Sequence, residues 1–330
     1  MALLELSDVR MYYRTSAGYV KAVDGVSFSV AKERTVGIAG ESGSGKTSIA
    51  STILKLLPSN AEIISGSITL EGKDLITASE EEMRKIRWKE ISLIPQASMN
   101  SLNPVFRIGD QIAEAIMAHE EVGKAEAMDR ARELLGMVGI PPERASSYPH
   151  EFSGGMKQRV AIAMALALHP PLVIADEPTT ALDVVVQAEI LELLRDIKQK
   201  FSTSILMITH DLSIISELAD EVLVMYAGKI VEKADVFSLY KRPMHPYTQG
   251  LLGAFPDIRA PRKRLVSIPG SPPDLAALPP GCSFNPRCPY ATDRCRTEEP
   301  KLREVEPGHW VACHYAEEIA SGSARGGGRS

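Results

Sequence analysis

Apolar and polar positions along the chain follow two periods, and their order predicts an α/β protein. Near the N-terminus, residues 3–9 and 26–30 alternate apolar and polar side chains, as half-buried strands do. Residues 36–39 and 172–175 form continuous apolar runs, and residues 204–209 are apolar between a serine and a threonine; such segments favour parallel strands covered on both faces. Helical patterns lie between these runs, so we expect a sheet with helices packed on its faces.

The middle of the chain changes to a helical period, while a later segment predicts a hairpin. Between Ile108 and Gly139 the apolar residues recur at helical spacing, and we predict a mainly helical subdomain at about residues 97–165. Its amphipathic faces suit either internal packing or a partner helix, and the sequence does not separate the two. Residues 221–226 and 229–232 predict two strands that pair across a turn at Ala227-Gly228.

Beyond about residue 256 the periodicity fades and prolines become frequent, so we expect a second module there. We predict a main domain at residues 1–255, a small irregular extension at 256–318 and a flexible tail rich in glycine, serine and arginine at 319–330. The extension holds every cysteine of the chain, namely Cys282, Cys288, Cys295 and Cys313. Such clustering indicates a local site rather than a disulfide framework that spans the fold.

Composition supports a folded domain and excludes a general attraction to polyanions. Hydrophobic residues make up 44% of the 330 residues, and the formal net charge is −5. A negative balance draws the chain neither to nucleic acid nor to anionic lipid. No apolar stretch reaches the roughly 18 residues of a membrane span, and charged residues interrupt the N-terminus too early for a signal peptide. We therefore expect a cytosolic chain that meets a membrane only through other subunits.

A glycine-rich loop joins the apolar run at 36–39 to a helical pattern. Its sequence, Gly40-Glu-Ser-Gly-Ser-Gly-Lys-Thr47, is a Walker A pattern, and the strand before it and the helix after it disfavour a chance turn. Glycines let successive backbone N–H groups face phosphate oxygens, and the helix N-terminus adds its positive dipole end. Lys46 should reach the β- and γ-phosphates, and Thr47 should hold Mg²⁺. The predicted ATP site comprises Ser42, Gly43, Ser44, Gly45, Lys46, Thr47 and Ser48.

Polar side chains that follow three further predicted strands supply the remaining chemistry of ATP hydrolysis. Asp176 is the expected Mg²⁺ ligand beside Thr47, and Glu177 is expected to polarise the attacking water as general base. His210 is expected at the γ-phosphate, and Gln96, after a strand at 91–94, is expected to sense the metal and the water. Taken singly, a histidine or glutamine at a strand end is more often structural. The Walker A loop upstream favours the catalytic interpretation.

A second serine–glycine segment, Phe152-Ser-Gly-Gly155, suggests that two chains share each nucleotide. Ser153 suits a helix N-cap, and a helix N-terminus with adjacent glycines binds anions. One nucleotide does not need two phosphate cradles from one chain. We therefore predict a head-to-tail pair in which Ser153, Gly154 and Gly155 of one chain cover the ATP of the other.

The order and spacing of these motifs resemble those of ATP-binding subunits of ABC transporters. The resemblance includes the loop Thr180-Ala-Leu-Asp183, and it implies that Asp183 also acts across the pair. Most of that superfamily has the signature Leu-Ser-Gly-Gly-Gln, whereas Met156 replaces the glutamine here and removes its polar contact. The resemblance also implies that Tyr13, rather than Tyr12, stacks on the adenine ring.

Three longer segments narrow the resemblance to the dipeptide/oligopeptide importer family. These are Tyr148–Met156, Ala175–Asp183 and His245–Leu252. The methionine in the signature and the Thr179-Thr180 pair resemble the D-type subunit of that family rather than its F-type partner.

The four cysteines have a spacing that does not identify a metal by itself. Five, six and seventeen residues separate them, unlike the close pairs of common zinc sites or the runs of ferredoxins. Spacing alone leaves zinc, an iron–sulfur cluster and free thiols open. Residues 268–275 and 281–289 are similar to the C-terminal extension of the importer family. That similarity implies a structural [4Fe–4S] cluster on Cys282, Cys288, Cys295 and Cys313.

The resemblance implies both an architecture and a function. The architecture is a P-loop NTPase core of the ABC type, with a mixed sheet and an N-terminal antiparallel β subdomain, a helical subdomain and an irregular cysteine module. The function is ATP hydrolysis that powers peptide import at the cytoplasmic face of the membrane. The implied partners are a non-identical F-type ATPase subunit, two transmembrane permease subunits and a separate solute-binding protein, with no nucleic acid.

Three alternatives compete with peptide import. The same machinery imports oligosaccharide or nickel in related families. A soluble ABC ATPase that acts on DNA or ribosomes is disfavoured, because the insertion is too short for a coiled coil and the chain has a single cassette. A non-hydrolysing binding module is disfavoured by the intact set Lys46, Asp176, Glu177 and His210.

Overall fold

The computed structural model describes residues 2–16, 18–96, 101–254 and 268–324, and the chain divides between two units. The first unit holds the described parts of Met1–Leu3, Val30–Thr35 and Thr77–Ile208. The second unit holds the described parts of Leu4–Ser29, Val36–Ile76 and Thr209–Ser330.

Twelve strands and eleven α-helices are formed by the described residues. The strands are β1 (Ala2–Thr15), β2 (Gly18–Ala31), β3 (Thr35–Ala39), β4 (Ala61–Leu70), β5 (Lys73–Asp74), β6 (Ile91–Ile94), β7 (Leu172–Asp176), β8 (Ser204–Thr209), β9 (Glu221–Tyr226), β10 (Lys229–Asp235), β11 (Arg303–Glu306) and β12 (His309–Val311). The helices are α1 (Lys46–Ile53), α2 (Glu80–Ile86), α3 (Ile108–Met117), α4 (Lys124–Met137), α5 (Gly154–Ala165), α6 (Val184–Phe201), α7 (Leu212–Leu218), α8 (Val236–Lys241), α9 (Pro246–Gly253), α10 (Asp293–Thr297) and α11 (Ala316–Ala320). Short 3₁₀ helices lie at Pro142–Ser146 and Pro149–Glu151.

In the first unit, strands β6, β7 and β8 run parallel in that order. Every residue of β7 and β8 is buried, which explains their continuous apolar runs, because both faces of these strands are covered. The register places Asp176 opposite Ile208, so β7 and β8 end at the same edge of the sheet. The side chains that follow these strands are thereby presented at one edge.

The predicted helical period of the first unit is confirmed by α3 and α4. Ile112 and Ile116 of α3 are fully buried, as are Ala131 and Leu135 of α4. The two helices approach so closely that a Cβ at Gly109 would lie 2.8 Å from the sulfur of Met128. Apolar residues at helical spacing therefore form the interface between the two helices, as internal packing of an amphipathic pair requires.

In the second unit, an antiparallel β subdomain is confirmed, but its strands are longer than predicted. The order is β2-β1-β4-β5, and β4 runs antiparallel to both of its neighbours. The alternating pattern of residues 3–9 predicts a strand that ends before Tyr12 and Tyr13, which is wrong, because β1 continues to Thr15. Cross-strand pairs Tyr12–Glu62 and Tyr13–Ala61 extend the ladder beyond the point where the apolar alternation stops.

A second sheet in this unit is mixed and extends into the C-terminal residues. Strand β3 runs parallel to β9, and β9 and β10 form the predicted hairpin. Strand β12 pairs antiparallel with β10, and β11 pairs with β12. The proline-rich C-terminal region therefore contributes two short strands to an ordered sheet.

A buried carboxylate joins β10 to these C-terminal strands. Glu232 is fully buried, and it accepts hydrogen bonds from the backbone N–H groups of Met244 at 2.6 Å and His245 at 3.1 Å. Nε2 of His309, on β12, lies 2.7 Å from the same carboxylate. A buried carboxylate is tolerated only when its oxygens are paired, so these three contacts fix β12 and the 244–245 segment to β10.

Across the described ranges of the chain, none of the helices has both the length and the apolar character that crossing a lipid bilayer requires. Residues 255–267, between α9 and the cysteine segment, and the end of the predicted tail at 325–330 lie outside the described residues.

Candidate functional site

The glycine-rich loop at 40–47 connects β3 to α1, as predicted. Gly45 is the N-cap of α1 and has a φ of 103°, in the left-handed region that favours glycine. A Cβ at Gly45 would lie 2.0 Å from the carbonyl oxygen of Ala22, and one at Gly40 would lie 2.3 Å from that of Met225. Glycine at both positions thus lets the loop lie directly against neighbouring backbone. A side chain at either position would collide with that backbone.

Lys46 lies inside this loop. Its side chain is buried, and Nζ donates to the carbonyl oxygens of Gly40 at 2.8 Å and Glu41 at 2.9 Å. The hydroxyl oxygen of Ser44 is buried and has no hydrogen-bond partner among the described residues. A buried ammonium group, an unsatisfied hydroxyl and the N-terminus of a helix together fit a bound phosphate.

The helix after the loop is shorter than its apolar spacing suggested. Ile49, Ile53 and Leu56 are spaced to share one face of a helix, and Ile49 and Ile53 are fully buried. The expectation that Leu56 shares their face is wrong, because α1 ends at Ile53 and the Leu56 side chain is 51% exposed. Lys55 has a φ of 50°, which turns the chain out of the helix before Leu56.

The two candidate adenine-stacking tyrosines differ in their contacts. The hydroxyl of Tyr13 lies 3.1 Å from that of Ser48 on α1, so this ring lies beside the start of the loop helix. The hydroxyl of Tyr12 donates to Asp24 at 2.7 Å instead. Burial and this hydrogen bond raise the pKa of Tyr12 to about 12. The geometry therefore favours Tyr13 as the ring next to the loop.

In the first unit, Gln96 and Glu177 meet at the carboxyl edge of β6 and β7. Nε2 of Gln96 donates to Oε2 of Glu177 at 2.7 Å, and the hydroxyl of Thr180 donates to the same oxygen at 2.9 Å. Glu177 has a φ of 48°, and its backbone N–H donates to the carbonyl of Ile208 at 2.7 Å. Left-handed backbone at a non-glycine residue costs of order 1–3 kcal/mol and is common at functional sites. Asp176, just before it, is buried at the end of β7.

Thr180 is a partner of Glu177 that the sequence interpretation missed. Its place in the Thr180-Ala-Leu-Asp183 loop was noted, but no signal showed that its hydroxyl donates to the carboxylate. The contact depends on the turn after β7, in which the backbone N–H of Thr180 donates to the carbonyl of Glu177 at 3.2 Å.

Ser153 and Asp183 both cap helix N-termini of the first unit. The predicted N-cap at Ser153 is confirmed, since its hydroxyl accepts from the backbone N–H of Met156 at 3.3 Å. The carboxylate of Asp183 accepts from the N–H groups of Val185 and Val186. Both caps are exposed. Only the backbone of Met156 takes part in its cap, so replacement of the usual glutamine leaves the cap intact.

Gly155 has a packing role that the motif did not indicate. A Cβ at this position would lie 2.7 Å from Cγ1 of Val186, at the start of α6. The absence of a side chain therefore lets the start of α5 lie against the start of α6. Both capped ends belong to the same part of the first unit.

The predicted site residues fall into two sets. The second unit carries Tyr13, the loop at 42–48 and His210, which is exposed after β8. The first unit carries Gln96, Asp176 and Glu177. It also carries the capping residues Ser153 and Asp183 and the glycines that follow Ser153, Gly154 and Gly155.

An ion pair that no sequence signal indicated links the loop to the cysteine segment within the second unit. The guanidinium group of Arg287 donates to both carboxylate oxygens of Glu41, at 2.6 Å and 2.8 Å. The backbone N–H of Glu41 donates to the hydroxyl of Tyr247 at 2.7 Å. Glu41 occupies a variable position of the Walker A pattern, and Arg287 belongs to no motif, so residue type and spacing do not indicate their contact.

The four cysteines line one small cavity together with Phe284, Tyr290 and His245. All four are free thiols. Burial raises the pKa of Cys282 to about 11 and that of Cys288 and Cys313 to about 12. Among the described residues, no group of three or more histidine, cysteine, aspartate or glutamate side chains is arranged to hold a metal ion. The four thiols therefore line a common cavity but do not form a metal-binding group in this arrangement.

Comparison with known proteins places the chain among ABC proteins. A family profile described as "ABC transporter" matches residues 23–180, and one described as "Oligopeptide/dipeptide transporter, C-terminal region" matches residues 231–295. The chain is 50% identical over 319 residues to the oligopeptide transport ATP-binding protein AppD of Bacillus subtilis (strain 168), covering 96% of this chain and 97% of the relative. It is 47% identical over 314 residues to the oligopeptide transport ATP-binding protein OppD of Escherichia coli (strain K12), covering 94% and 93%.

A solved structure with the same fold is a dimeric ATP-binding cassette. This is MJ0796 in a post-hydrolysis state bound to ADP and Pi, with a TM-score of 0.64 and 26% sequence identity. The match covers 71% of this chain and 98% of that chain. The expected ABC-type P-loop NTPase fold is thereby confirmed.

Proposed function

Because the chain belongs to the ATP-binding subunits of ABC oligopeptide and dipeptide importers, which power import through separate membrane subunits, we propose that Glu177 is the general base of its ATPase. The observation that carries the proposal is the orientation of the Glu177 carboxylate by Gln96 and Thr180. Two donors on one carboxylate oxygen hold the group in a single orientation, as positioning of a water molecule requires.

The remaining residues bind the nucleotide and its metal in this proposal. Lys46 and the N–H groups of residues 42–48 stabilise the phosphate charge, and the ring of Tyr13 stacks on the adenine. Thr47, Asp176 and Gln96 hold Mg²⁺, which neutralises charge on the β- and γ-phosphates when bound. His210 contacts the γ-phosphate. The buried Lys46 ammonium and the unsatisfied Ser44 hydroxyl support this assignment.

A second ATPase subunit completes each site. Ser153, Gly154, Gly155 and Asp183 of one chain cover the γ-phosphate held by the other. Two observations support this arrangement: the caps at Ser153 and Asp183 are exposed, and α5 has twelve residues, so its N-terminus carries a substantial positive dipole. The similar cassette MJ0796 is a dimer bound to ADP and Pi.

Peptides are the proposed solute, and the chain is the proposed D-type subunit. The relatives named above are oligopeptide transport proteins, and the matched C-terminal profile is that of oligopeptide and dipeptide transporters. The proposed partners are a non-identical F-type ATPase subunit, two permease subunits and a separate solute-binding protein, with the chain at the cytoplasmic face of the membrane. Oligosaccharide and nickel import by the same machinery are the competing assignments.

The solute assignment is tested with the complete transporter in lipid vesicles. With the binding protein on the opposite side, ATP on the side of this chain should drive uptake of a labelled tripeptide. Excess unlabelled peptide should abolish that uptake, whereas maltotriose or nickel should not. Uptake of nickel or maltotriose in place of peptide contradicts the assignment, and ATP turnover without any uptake contradicts the import function.

The proposed site for a [4Fe–4S] cluster is the cysteine cavity. Its four thiols surround one space, and Phe284 and Tyr290 form part of an apolar wall, which is the donor set and environment that such clusters use. When bound, the cluster supplies a crosslink between residues 282–295 and Cys313. We propose that its role is structural, because the remaining motifs of the chain serve phosphate chemistry.

Anaerobic isolation tests the cluster directly. We expect about four iron atoms and about four acid-labile sulfides per chain, with the visible absorbance of an iron–sulfur protein. Cys288→Ser should lose the iron and the absorbance. Ser283→Ala, which changes the residue next to Cys282, is the control and should keep both. Stoichiometric zinc, or four thiols that remain open to alkylation in the freshly isolated protein, contradicts the proposal.

A further inference from the structure

The contact between Arg287 and Glu41 connects the two functional parts of the second unit. Glu41 is the second residue of the Walker A loop, and its carbonyl oxygen accepts from Nζ of Lys46. Arg287 immediately precedes Cys288, and both of their backbone N–H groups donate to the carbonyl of Phe284 at 3.0 Å. A continuous chain of contacts therefore leads from the cysteine turn to the lysine of the loop.

Arg287 is held in place from several directions. Its side chain is only 5% exposed, and Nε donates to the carbonyl of Pro269 at 2.9 Å. The guanidinium carbon lies 5.8 Å from the ring centre of Tyr226 and 5.9 Å from that of Phe284. Packing against two rings and a bidentate ion pair make this arginine rigid, which distinguishes it from the exposed arginines of the same segment.

The charge of Glu41 explains why the loop needs this contact. An acidic side chain within an anion-binding loop repels the triphosphate unless its charge is compensated. Arg287 compensates it with two charge-assisted hydrogen bonds, and Tyr247 fixes the backbone of the same residue from the other side. Without Arg287, a partly buried carboxylate would face the nucleotide loop unpaired.

We propose that Arg287 is a positioning residue of the nucleotide site: it neutralises and anchors Glu41, and so couples the order of the cysteine segment to the affinity for MgATP. The proposal rests on the ATP site proposed above. The coupling involves only residues of this chain. It does not depend on which metal or cluster, if any, the cysteines bind. Coupling is reciprocal, so nucleotide binding must also stabilise the cysteine segment.

The test compares matched arginine variants of the full-length chain by calorimetric titration with MgATP. Arg287→Met should bind MgATP about tenfold more weakly than wild type, within the usual range of coupling between sites. Arg296→Met is the control, because Arg296 lies in the same segment but forms an exposed pair with Asp293. It should bind as wild type does. The double variant E41Q/R287M should recover most of the lost affinity, because it has no carboxylate left to repel the nucleotide.

A second readout follows the cysteine segment itself. In wild type, MgATP should slow hydrogen exchange at the amides of Arg287 and Cys288 severalfold, and this protection should disappear in Arg287→Met. If Arg287→Met merely unfolded the cysteine segment, its amides would exchange rapidly with and without MgATP. Adding Glu41→Gln would then restore no affinity for MgATP.

The outcomes separate this inference from the proposed function. If wild type does not bind MgATP, the ATP site itself is wrong. If wild type binds MgATP but R287M matches R296M, or if E41Q/R287M recovers nothing, the coupling is overturned. Weak binding by R287M, recovery by E41Q/R287M and nucleotide-dependent protection of residues 287–288 together establish it.

Discussion

Replacing Glu177 by glutamine should lower ATP turnover by about 10²- to 10⁴-fold, the usual contribution of a general base, while MgATP binding stays close to that of wild type. Glutamine has the same shape, and its amide oxygen still accepts from Gln96 and Thr180, but it cannot take a proton from water. Steady-state phosphate release and calorimetric MgATP titration measure the two quantities. Glu189→Gln, which alters an exposed pair with Arg159, is the control and should retain wild-type turnover. Turnover of Glu177→Gln within threefold of that control would show that another group is the base.

The same variant should also accumulate an ATP-bound dimer, with its F-type partner if the natural pair is heteromeric. In the proposed two-subunit site, hydrolysis ends the closed state, so a variant that hydrolyses ATP slowly should remain in it longer. Ser153→Asp in the Glu177→Gln background should prevent that dimer, because aspartate still caps the helix but places negative charge against the neighbouring γ-phosphate. Ser153→Thr keeps a neutral cap and should preserve the dimer. Gel filtration in MgATP distinguishes these results, and a dimer that tolerates aspartate contradicts the shared site.

Gly45→Ala should weaken MgATP binding by more than about 100-fold, equivalent to about 2.7 kcal/mol or more. The added Cβ would lie 2.0 Å from the carbonyl oxygen of Ala22, which is backbone and cannot move aside cheaply, and the φ of 103° is strained for alanine. The loop must therefore leave its position next to α1. Calorimetric titration with MgATP gives the measurement.

Gly72→Ala is the matched control for this prediction. Gly72 has a similar φ of 82°, but no atom lies within 4 Å of its added Cβ. This variant should be destabilised only by backbone strain, which should lower its unfolding temperature modestly. Its affinity for MgATP should match that of wild type. Equal nucleotide affinities for the two alanine variants would show that close backbone contact at Gly45 does not shape the phosphate loop.

Local features of the fold were predictable from neighbouring residues. The strands β6 and β8, the hairpin of β9 and β10 and the cap at Ser153 lie where apolar periods, turn residues and capping chemistry placed them. Such features depend on a few side chains that are neighbours in the sequence, so the local pattern is enough to predict them. The extension of β1 through Tyr13 was not predictable, because pairing with β4 outweighed the loss of alternation.

The candidate site divides in the same way. The sequence by itself determined which residues are candidates for the chemistry: the loop at 40–47 and the pair Asp176-Glu177 follow from residue type and spacing, and the cysteines stand out by their clustering. Only the tertiary structure decided which other side chains position these residues. Thr180 reaches Glu177 through a turn, and Arg287 reaches Glu41 across 246 positions of sequence. A contact between distant segments depends on how sheets and helices pack, and no local period records it. The protein's chemistry is therefore visible in its motifs, whereas the positioning of that chemistry exists only in the folded chain.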